Sequence, residues 1–366
     1  MDRRKFLAAM GAGASAAFLP GRLFAETANL GKDEIEKRVA ELLARMTLDD
    51  KIQQMSGAIL LNTLGQMTGY NKSHPTVTPD NRRLGIPGIR FVDGPRGINF
   101  QGSTCFPVHI ARGASWDPEL QKRVGEVMGY EAKAQGANYT GAVCINLVRH
   151  PSWGRSQETL GEDPLHLGVM GAGFALGLQK YIMACAKHLA CNNVENSRQY
   201  VDVQIDERTL REIYLPHFKR CVDEGVASIM CAYNKLNGQY CSANRHLLQE
   251  IVKDDWKFQG FIISDFGAVH DGQGAANAGL DVEMPMTRYW GPHLKKMVLD
   301  GRVSKERIDD AVTRILRQKF RFGLFEKQAK LDKSKIASPE HASVACEAER
   351  KSIVLLKNEK AALPLE

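Results

Sequence analysis

Gly260-Phe261-Ile262-Ile263-Ser264-Asp265-Phe266-Gly267 decides the fold. A short apolar run reads as a buried strand, and it delivers an aspartate where the chain turns at glycine. The same design recurs upstream and downstream. Ile89-Arg90-Phe91-Val92 ends in Asp93, and Ile182-Met183-Ala184-Cys185-Ala186 ends in Lys187 and His188. Ser228-Ile229-Met230-Cys231-Ala232 ends in Tyr233 and Asn234, and Leu280-Asp281-Val282 ends in Glu283. In parallel α/β folds, chemistry sits at the carboxyl ends of strands. Five apolar runs capped by polar residues therefore predict one polar site at one end of a parallel barrel.

Amphipathic helices fall between these runs. Asp33 to Met46 carries Ile35, Val39, Leu42 and Leu43 on one face, and Thr47 reads as the N-cap of Leu48 to Met55. Asp117-Pro118 opens a helix over Glu119 to Gln135, Asp206 one over Glu207 to Asp223, and Ser304 one over Lys305 to Phe320. Ala142 to Val148 adds a further strand. Strand and helix alternate at spacings suited to parallel pairing. Six or seven strands can be counted; a (β/α)₈ barrel with an irregular or incomplete strand set fits best, and a doubly wound open sheet is the alternative.

The 366 residues are 43% hydrophobic and 25% charged, an ordinary globular composition. The formal charge of +7 includes +3 in the first 25 residues, where Arg3, Arg4, Lys5 and Arg22 face only Asp2. The remaining +4 forms no basic cluster, which argues against a nucleic-acid partner. The basic start, the mild apolar stretch Phe6 to Leu19 and the small residue Ala25 read as an export signal over residues 1–25. Arg3-Arg4-Lys5-Phe6-Leu7 resembles a twin-arginine signal, with Asp2 in place of the usual Ser or Thr. The expectation is a periplasmic or secreted protein without stable membrane insertion, because the apolar run is too short to span comfortably. None of the eight cysteines forms a Cys-x-x-Cys pair, so no zinc or redox site is expected. Cys144, Cys185 and Cys231 read as small buried hydrophobes.

Three other features carry bland readings. Gly171-Ala172-Gly173 with Gly177 superficially resembles a dinucleotide loop, but it sits in a helical pattern and fits close helix packing better. Glu283 reads as structural, and Glu162 or Asp163 as ion-pair partners of Arg155. Asp265 as a helix N-cap and Asp93 as a turn residue before Gly94 remain the alternatives to functional roles. Lys187-His188 is an odd pair for a core strand and reads as functional. At the far end, Ser338-Pro339 opens a helix to about Arg350, and Ser352-Ile353-Val354-Leu355-Leu356 reads as a strand. The expected organisation is a signal (1–25), a barrel (26–335), and a linker helix with the first strand of a truncated second α/β domain (336–366).

Motifs spread from Glu34 to the last residue give the chain a family resemblance. They are Met46-Thr47-Leu48-Asp49-Asp50-Lys51-Ile52, Asp93-Gly94-Pro95-Arg96-Gly97, Trp153-Gly154-Arg155, Gly161-Glu162-Asp163-Pro164, Ala186-Lys187-His188, Arg198, Met230-Cys231-Ala232-Tyr233-Asn234, Ser264-Asp265 and Ala278-Gly279-Leu280-Asp281-Val282-Glu283-Met284-Pro285. In this order they resemble the N-terminal barrel of glycoside hydrolase family 3, β-glucosidase type. The resemblance implies retaining hydrolysis of terminal β-glucosyl or related residues without cofactor or metal. It implies Asp265 as nucleophile, Asp93, Arg155, Lys187, His188 and Arg198 as holders of the sugar hydroxyls, and Met230 and Tyr233 beside the nucleophile. Lys187, Arg155 and Arg198 are expected to lower the Asp265 pKa and keep it ionised. Phe266 stands where many members have Trp. Multi-domain members place the acid/base glutamate beyond the barrel; the single-domain branch uses an Asp-His dyad after Lys-His-Phe-Pro-Gly, whereas here Lys187-His188 precedes Leu189-Ala190-Cys191. The acid/base is thus unidentified. The alternative function is an acid-less sugar-binding or inactive remnant, one that needs a partner chain carrying the second domain.

Overall fold

The computed structural model describes residues 30–58, 75–327, 329–359 and 362–365; the proposed export signal, residues 1–25, lies outside them. The central sheet is a curled, mostly parallel one. Its strands are β1 (Thr76–Val77), β2 (Arg90–Val92), β3 (Tyr139–Cys144), β4 (Met183–Leu189), β6 (Ser228–Cys231) and β9 (Phe261–Ser264), in the order β1-β2-β3-β4-β6-β9. All neighbours from β2 to β9 pair in parallel, and β1 joins β2 antiparallel. Beyond β9 the ring continues as single parallel bridges, Ile263 to Val282 and Glu283 to Ser56. A small second sheet pairs β5 (Asp202–Val203), β7 (Lys235–Leu236) and β8 (Gln239–Tyr240). The barrel reading therefore holds, in an irregular form.

Burial explains why the strands read as continuous apolar runs: every residue of β3, β4, β6 and β9 is buried. Inside, Tyr139 packs between Phe91 (centroids 5.5 Å apart) and Phe261 (5.9 Å), and its hydroxyl meets Ser228 Oγ at 2.8 Å. Rings from three strands thus plug the barrel, as filled (β/α)₈ interiors require.

The principal helices are α1 (Lys32–Ala44), α2 (Leu48–Gln54), α3 (His109–Ala114), α4 (Pro118–Ala134), α5 (Pro164–Leu178), α6 (Pro216–Asp223), α7 (Gly272–Ala278), α8 (Pro292–Leu299), α9 (Lys305–Arg321) and α10 (Pro339–Ser352). Their starts follow the sequence signals. Thr47 and Asp50 form a reciprocal capping box; Asp117 and Ser304 cap α4 and α9. The glycines of α5 serve helix packing, as read. A Cβ on Gly177 would lie 2.0 Å from Lys122 O of α4, and one on Gly125 of α4 would lie 2.4 Å from Phe174 O of α5.

Four local expectations are corrected. The helix expected over Glu207 to Asp223 is broken: a wide-turned stretch, Leu210–Tyr214, gives way to α6 at Pro216, which has no N–H to continue the ladder. The strand placed at Ala142 to Val148 begins earlier, at Tyr139, and ends at Cys144. Leu280-Asp281-Val282 makes one bridge rather than a strand, because buried Asp281 is held by side-chain bonds from Lys253 (2.7 Å) and Arg307 and by Ile262 N (2.8 Å). Ile353 to Leu356 forms no strand. These side chains are exposed, Leu356 at 91%, and no described strand lies alongside to take their backbone groups.

Candidate active site

The strand ends converge on a cavity of about 460 Å³ lined by Phe91, Asp93, Gly154, Arg155, Glu158, Lys187, His188, Glu195, Arg198, Met230, Tyr233, Asp265 and Phe266. Every candidate site residue named from the sequence is on this wall. Asp93 follows β2, Arg155 lies in the loop after β3, Lys187 and His188 end β4, Arg198 follows β4, and Met230 and Tyr233 flank the end of β6. Asp265 follows β9. The Lys187–His188 and Leu189–Ala190 peptides are cis, and the register between β4 and β6 shifts between Lys187 and Leu189.

The cations are each held by a carboxylate. Lys187 Nζ, on a side chain only 3% exposed, lies 2.9 and 3.2 Å from the two Asp93 oxygens. Burial works against ionisation of Asp93, but Lys187 outweighs it and holds the carboxyl below the usual aspartate range. Arg155 makes a bidentate pair with Glu158 at 3.0 and 2.7 Å. Burial disfavours its charge, yet the Glu158 bonds raise its pKa further. Arg198 meets Glu195 at 2.6 Å, with its guanidinium 4.5 Å over the Tyr233 ring. The partner of Arg155 is thus Glu158, not Glu162 or Asp163; Asp163 instead caps α5 by accepting from His166 N.

Asp265 departs from the electrostatic expectation. Burial pushes its carboxyl above the ordinary aspartate value, and the opposing pull of Lys187, then Arg155, does not cancel this. One of its oxygens accepts from Phe266 N at 2.7 Å. The other lies 3.5 Å from His188 Nε2. That contact is no ion pair, because burial, then Arg155 and Lys187, holds the His188 pKa well below its usual value. The ring is oriented by Asn146. Its Nδ2 donates to His188 O at 2.8 Å, so its Oδ1 faces His188 N and Nδ1, both at 2.9 Å. Tyr233 donates to Phe266 O at 3.0 Å, tying the end of β6 to the residue after Asp265. Phe266 packs on Phe91 with centroids 5.2 Å apart.

Glu283, read as structural, is so placed. Its carboxylate accepts from Arg288 N, Tyr289 N and Trp290 N at 3.2, 2.9 and 2.9 Å. Among the described residues no group of three or more His, Cys, Asp or Glu is arranged to hold a metal ion. The site therefore offers a buried carboxylate, a neutral imidazole and three cations already matched by carboxylates. That set suits a neutral ligand rich in hydroxyls, each of which both donates and accepts.

Residues 34–318 match the profile of the glycosyl hydrolase family 3 N-terminal domain. The chain belongs to glycosyl hydrolase family 3. It is 37% identical over 344 residues to the thermostable β-glucosidase B of Acetivibrio thermocellus, a match covering 90% of this chain and 43% of that protein. It is also 37% identical over 337 residues to a β-glucosidase of Rhizobium radiobacter, covering 89% and 39%. Among solved structures, β-glucosidase 3B from Thermotoga neapolitana in complex with glucose superposes with a TM-score of 0.83 at 34% identity, covering 90% of this chain and 48% of that one. DesR, a β-glucosidase from Streptomyces venezuelae in complex with D-glucose, gives 0.81 at 34%, covering 90% and 43%. This family 3 chain thus spans less than half the length of these relatives.

Sequence reading missed five contributors. Glu158 and Glu195 each sit three residues from an arginine of the site, a spacing that could have flagged them. Asn146 interrupts the apolar run Ala142 to Val148, which was a visible signal. Phe91 was assigned only to the strand, and Gly154 only to a motif.

Proposed function

We propose that this family 3 chain supplies the sugar pocket and nucleophile of a β-glucosidase that works by retaining double displacement on terminal non-reducing β-glucosyl residues. The observation that carries the reading is Asp265: a buried carboxylate at a strand's carboxyl end, 3.5 Å from a neutral histidine, in a cavity whose charges are otherwise paired. The glucose complexes and names of the relatives support the substrate class. In this mechanism an Asp265 oxygen attacks the anomeric carbon as the bond to the leaving oxygen breaks. A glycosyl ester forms with inverted configuration, and water then displaces Asp265 with a second inversion. Asp93, Arg155, Lys187, His188 and Arg198 are assigned to the sugar hydroxyls, and Tyr233 and Met230 to the wall beside the nucleophile.

The leaving oxygen also needs a proton. Asp93, Glu158 and Glu195, the other carboxylates on the wall, are each paired with a cation. None is poised to be a neutral acid, so we assign that role outside the described residues, where a second domain or a partner chain would place it. The 366-residue polypeptide is then expected to attack dinitrophenyl β-glucoside, whose leaving group needs no acid, and to leave cellobiose nearly untouched. Azide, which needs no general base, is expected to accelerate turnover and give a β-glucosyl azide. A fluoro-sugar inactivator should label Asp265. Efficient cellobiose hydrolysis by this polypeptide, or labelling at another carboxylate, would overturn the assignment. We further propose export through residues 1–25 to the periplasm or medium. Replacing Arg3 and Arg4 by Lys should then retain the protein in the cytoplasm, as read by cell fractionation.

A further inference from the structure

Outside the pocket lining, Glu131 of α4 is buried, and its donors come from two distant segments. Thr104 N reaches Oε2 at 2.8 Å, and Thr104 Oγ1 reaches Oε1 at 2.6 Å. Oε1 also accepts from Ala337 N at 2.9 Å and His341 Nδ1 at 2.7 Å. One carboxylate therefore ties the loop after β2 to the first turn of α10.

That loop begins at Asp93 and is internally braced. Asn99 N donates to Asp93 O at 2.9 Å, and Phe106 N donates to Arg96 O at 2.8 Å. The glycines close it: a Cβ on Gly94 would lie 1.9 Å from Gly97 O, and one on Gly97 would lie 2.2 Å from Thr104 O. Residues 93–106 thus form a close-packed unit with Asp93 at one end and the Glu131 anchor at the other. A shift at Thr104 cannot be absorbed by slack within the loop.

Helix α10 sets Val344, Ala345 and Ala348 against the core and adds polar contacts around them. Ala348 is its one fully buried residue, and besides the Glu131 contact it is pinned by Glu347 on Arg123 (2.6 and 2.8 Å) and Lys351 on Asp117 (2.7 Å). We infer that Glu131 is a positioning residue, which sets the Asp93 loop through Thr104 and couples the geometry of Asp93 to α10 through its His341 contact rather than through the docking of the helix as a whole. The inference rests on the sugar-pocket reading only for its ligand readout; the loop itself supplies a second one.

The test keeps Glu131, whose replacement would leave buried donors unpaired, and perturbs its two sides separately. His341→Ala removes the donor from α10, and Thr104→Val removes the hydroxyl from the loop. Arg123→Ala loosens the same helix without touching Glu131. Amide hydrogen exchange of residues 93–106 is measured on the full chain, together with the Kd for glucose by calorimetry. Both His341→Ala and Thr104→Val should accelerate exchange in 93–106 and weaken glucose binding by about threefold or more, within the usual range for such couplings. Arg123→Ala should accelerate exchange in 339–352 alone. Unchanged exchange of 93–106 in His341→Ala would overturn the inference, and so would an equal acceleration there by Arg123→Ala. If the unaltered chain binds no glucose, the sugar reading of the pocket fails, and the exchange data still decide the role of Glu131.

Discussion

Breaking the Lys187–Asp93 pair should cost different amounts from its two ends. The ammonium lies about 3 Å from both carboxylate oxygens, which at an effective dielectric near 20 is roughly 5 kcal/mol of gross attraction. The net effect depends on what is left behind. Lys187 is 3% exposed and has no second hydrogen-bond partner among the described residues, with Arg155 as a like-charged neighbour. Asp93→Asn strands that charge. Loss of one partner from a buried pair costs about 3–5 kcal/mol, and the partial exposure of Asp93, 41%, trims this to roughly 2–3 kcal/mol. Lys187→Met leaves a carboxylate that water can reach and that keeps its bond from Gly94 N, so the expected loss is about 1 kcal/mol or less. Urea unfolding followed by both fluorescence and circular dichroism measures the two losses where the transitions coincide. The pH dependence has a definite sign. The folded-state pKa of Asp93 is depressed, so its stabilisation is present above the unfolded value near 4 and fades as pH falls through the lower folded one. The gap between Asp93→Asn and the unaltered protein should therefore persist from pH 7 to 5 and close below about pH 4. A Lys187→Met loss equal to or larger than the Asp93→Asn loss would refute the reasoning.

Two further outcomes follow from the frame of the barrel. Gly177→Ala should destabilise by about 1–3 kcal/mol or more, because its Cβ would meet the backbone of α4 at 2.0 Å; the change in urea midpoint checks it. Lys319 is fully buried with one hydrogen-bond partner among the described residues, Gln54 Oε1 at 2.6 Å, and burial lowers its pKa to about 7. Between about pH 7 and 10 the unfolded chain binds a proton there that the folded chain does not, so stability should rise with pH across that window. Lys319→Met should flatten the rise, as read from melting temperature against pH.

Much of the architecture was legible because strands buried on both faces leave unbroken apolar runs, and helix caps leave short polar signatures. Asp265, Asp93, Lys187-His188 and Tyr233 were legible as polar residues directly after such runs. What sequence could not settle was set by tertiary partners. Leu280-Asp281-Val282 has strand composition, but the side chain of Asp281 competes with the ladder for the same segment. Ile353 to Leu356 is apolar enough for a strand and has no described neighbour to pair with. The Asp265 pKa went the other way because burial of its carboxyl, which counting cations leaves out, outweighs the pull of Lys187 and Arg155.

The pairing of those cations shifts attention to the neutral contact at the centre of the site. Asn146 Nδ2 must face His188 O, an acceptor, so its Oδ1 must face His188 Nδ1, which then carries the ring proton. Nε2 is left as a bare acceptor 3.5 Å from a carboxylate oxygen that has no donor of its own among the described residues. Two acceptors facing each other are unfavourable until a donor enters, and a sugar hydroxyl is such a donor. The Asn146 lock thus makes the pocket more receptive to a hydroxyl than to water-free closure. Asn146→Leu should release the lock, letting His188 carry its proton on Nε2 and donate to Asp265. That bond satisfies the carboxylate internally, so glucose binding should weaken about tenfold, the scale of one hydrogen bond to a charged group. Nitrogen-15 shifts of the imidazole distinguish the two tautomers directly. A proton found on Nε2 in the unaltered protein at pH 7, or glucose binding unchanged in Asn146→Leu, would contradict the argument.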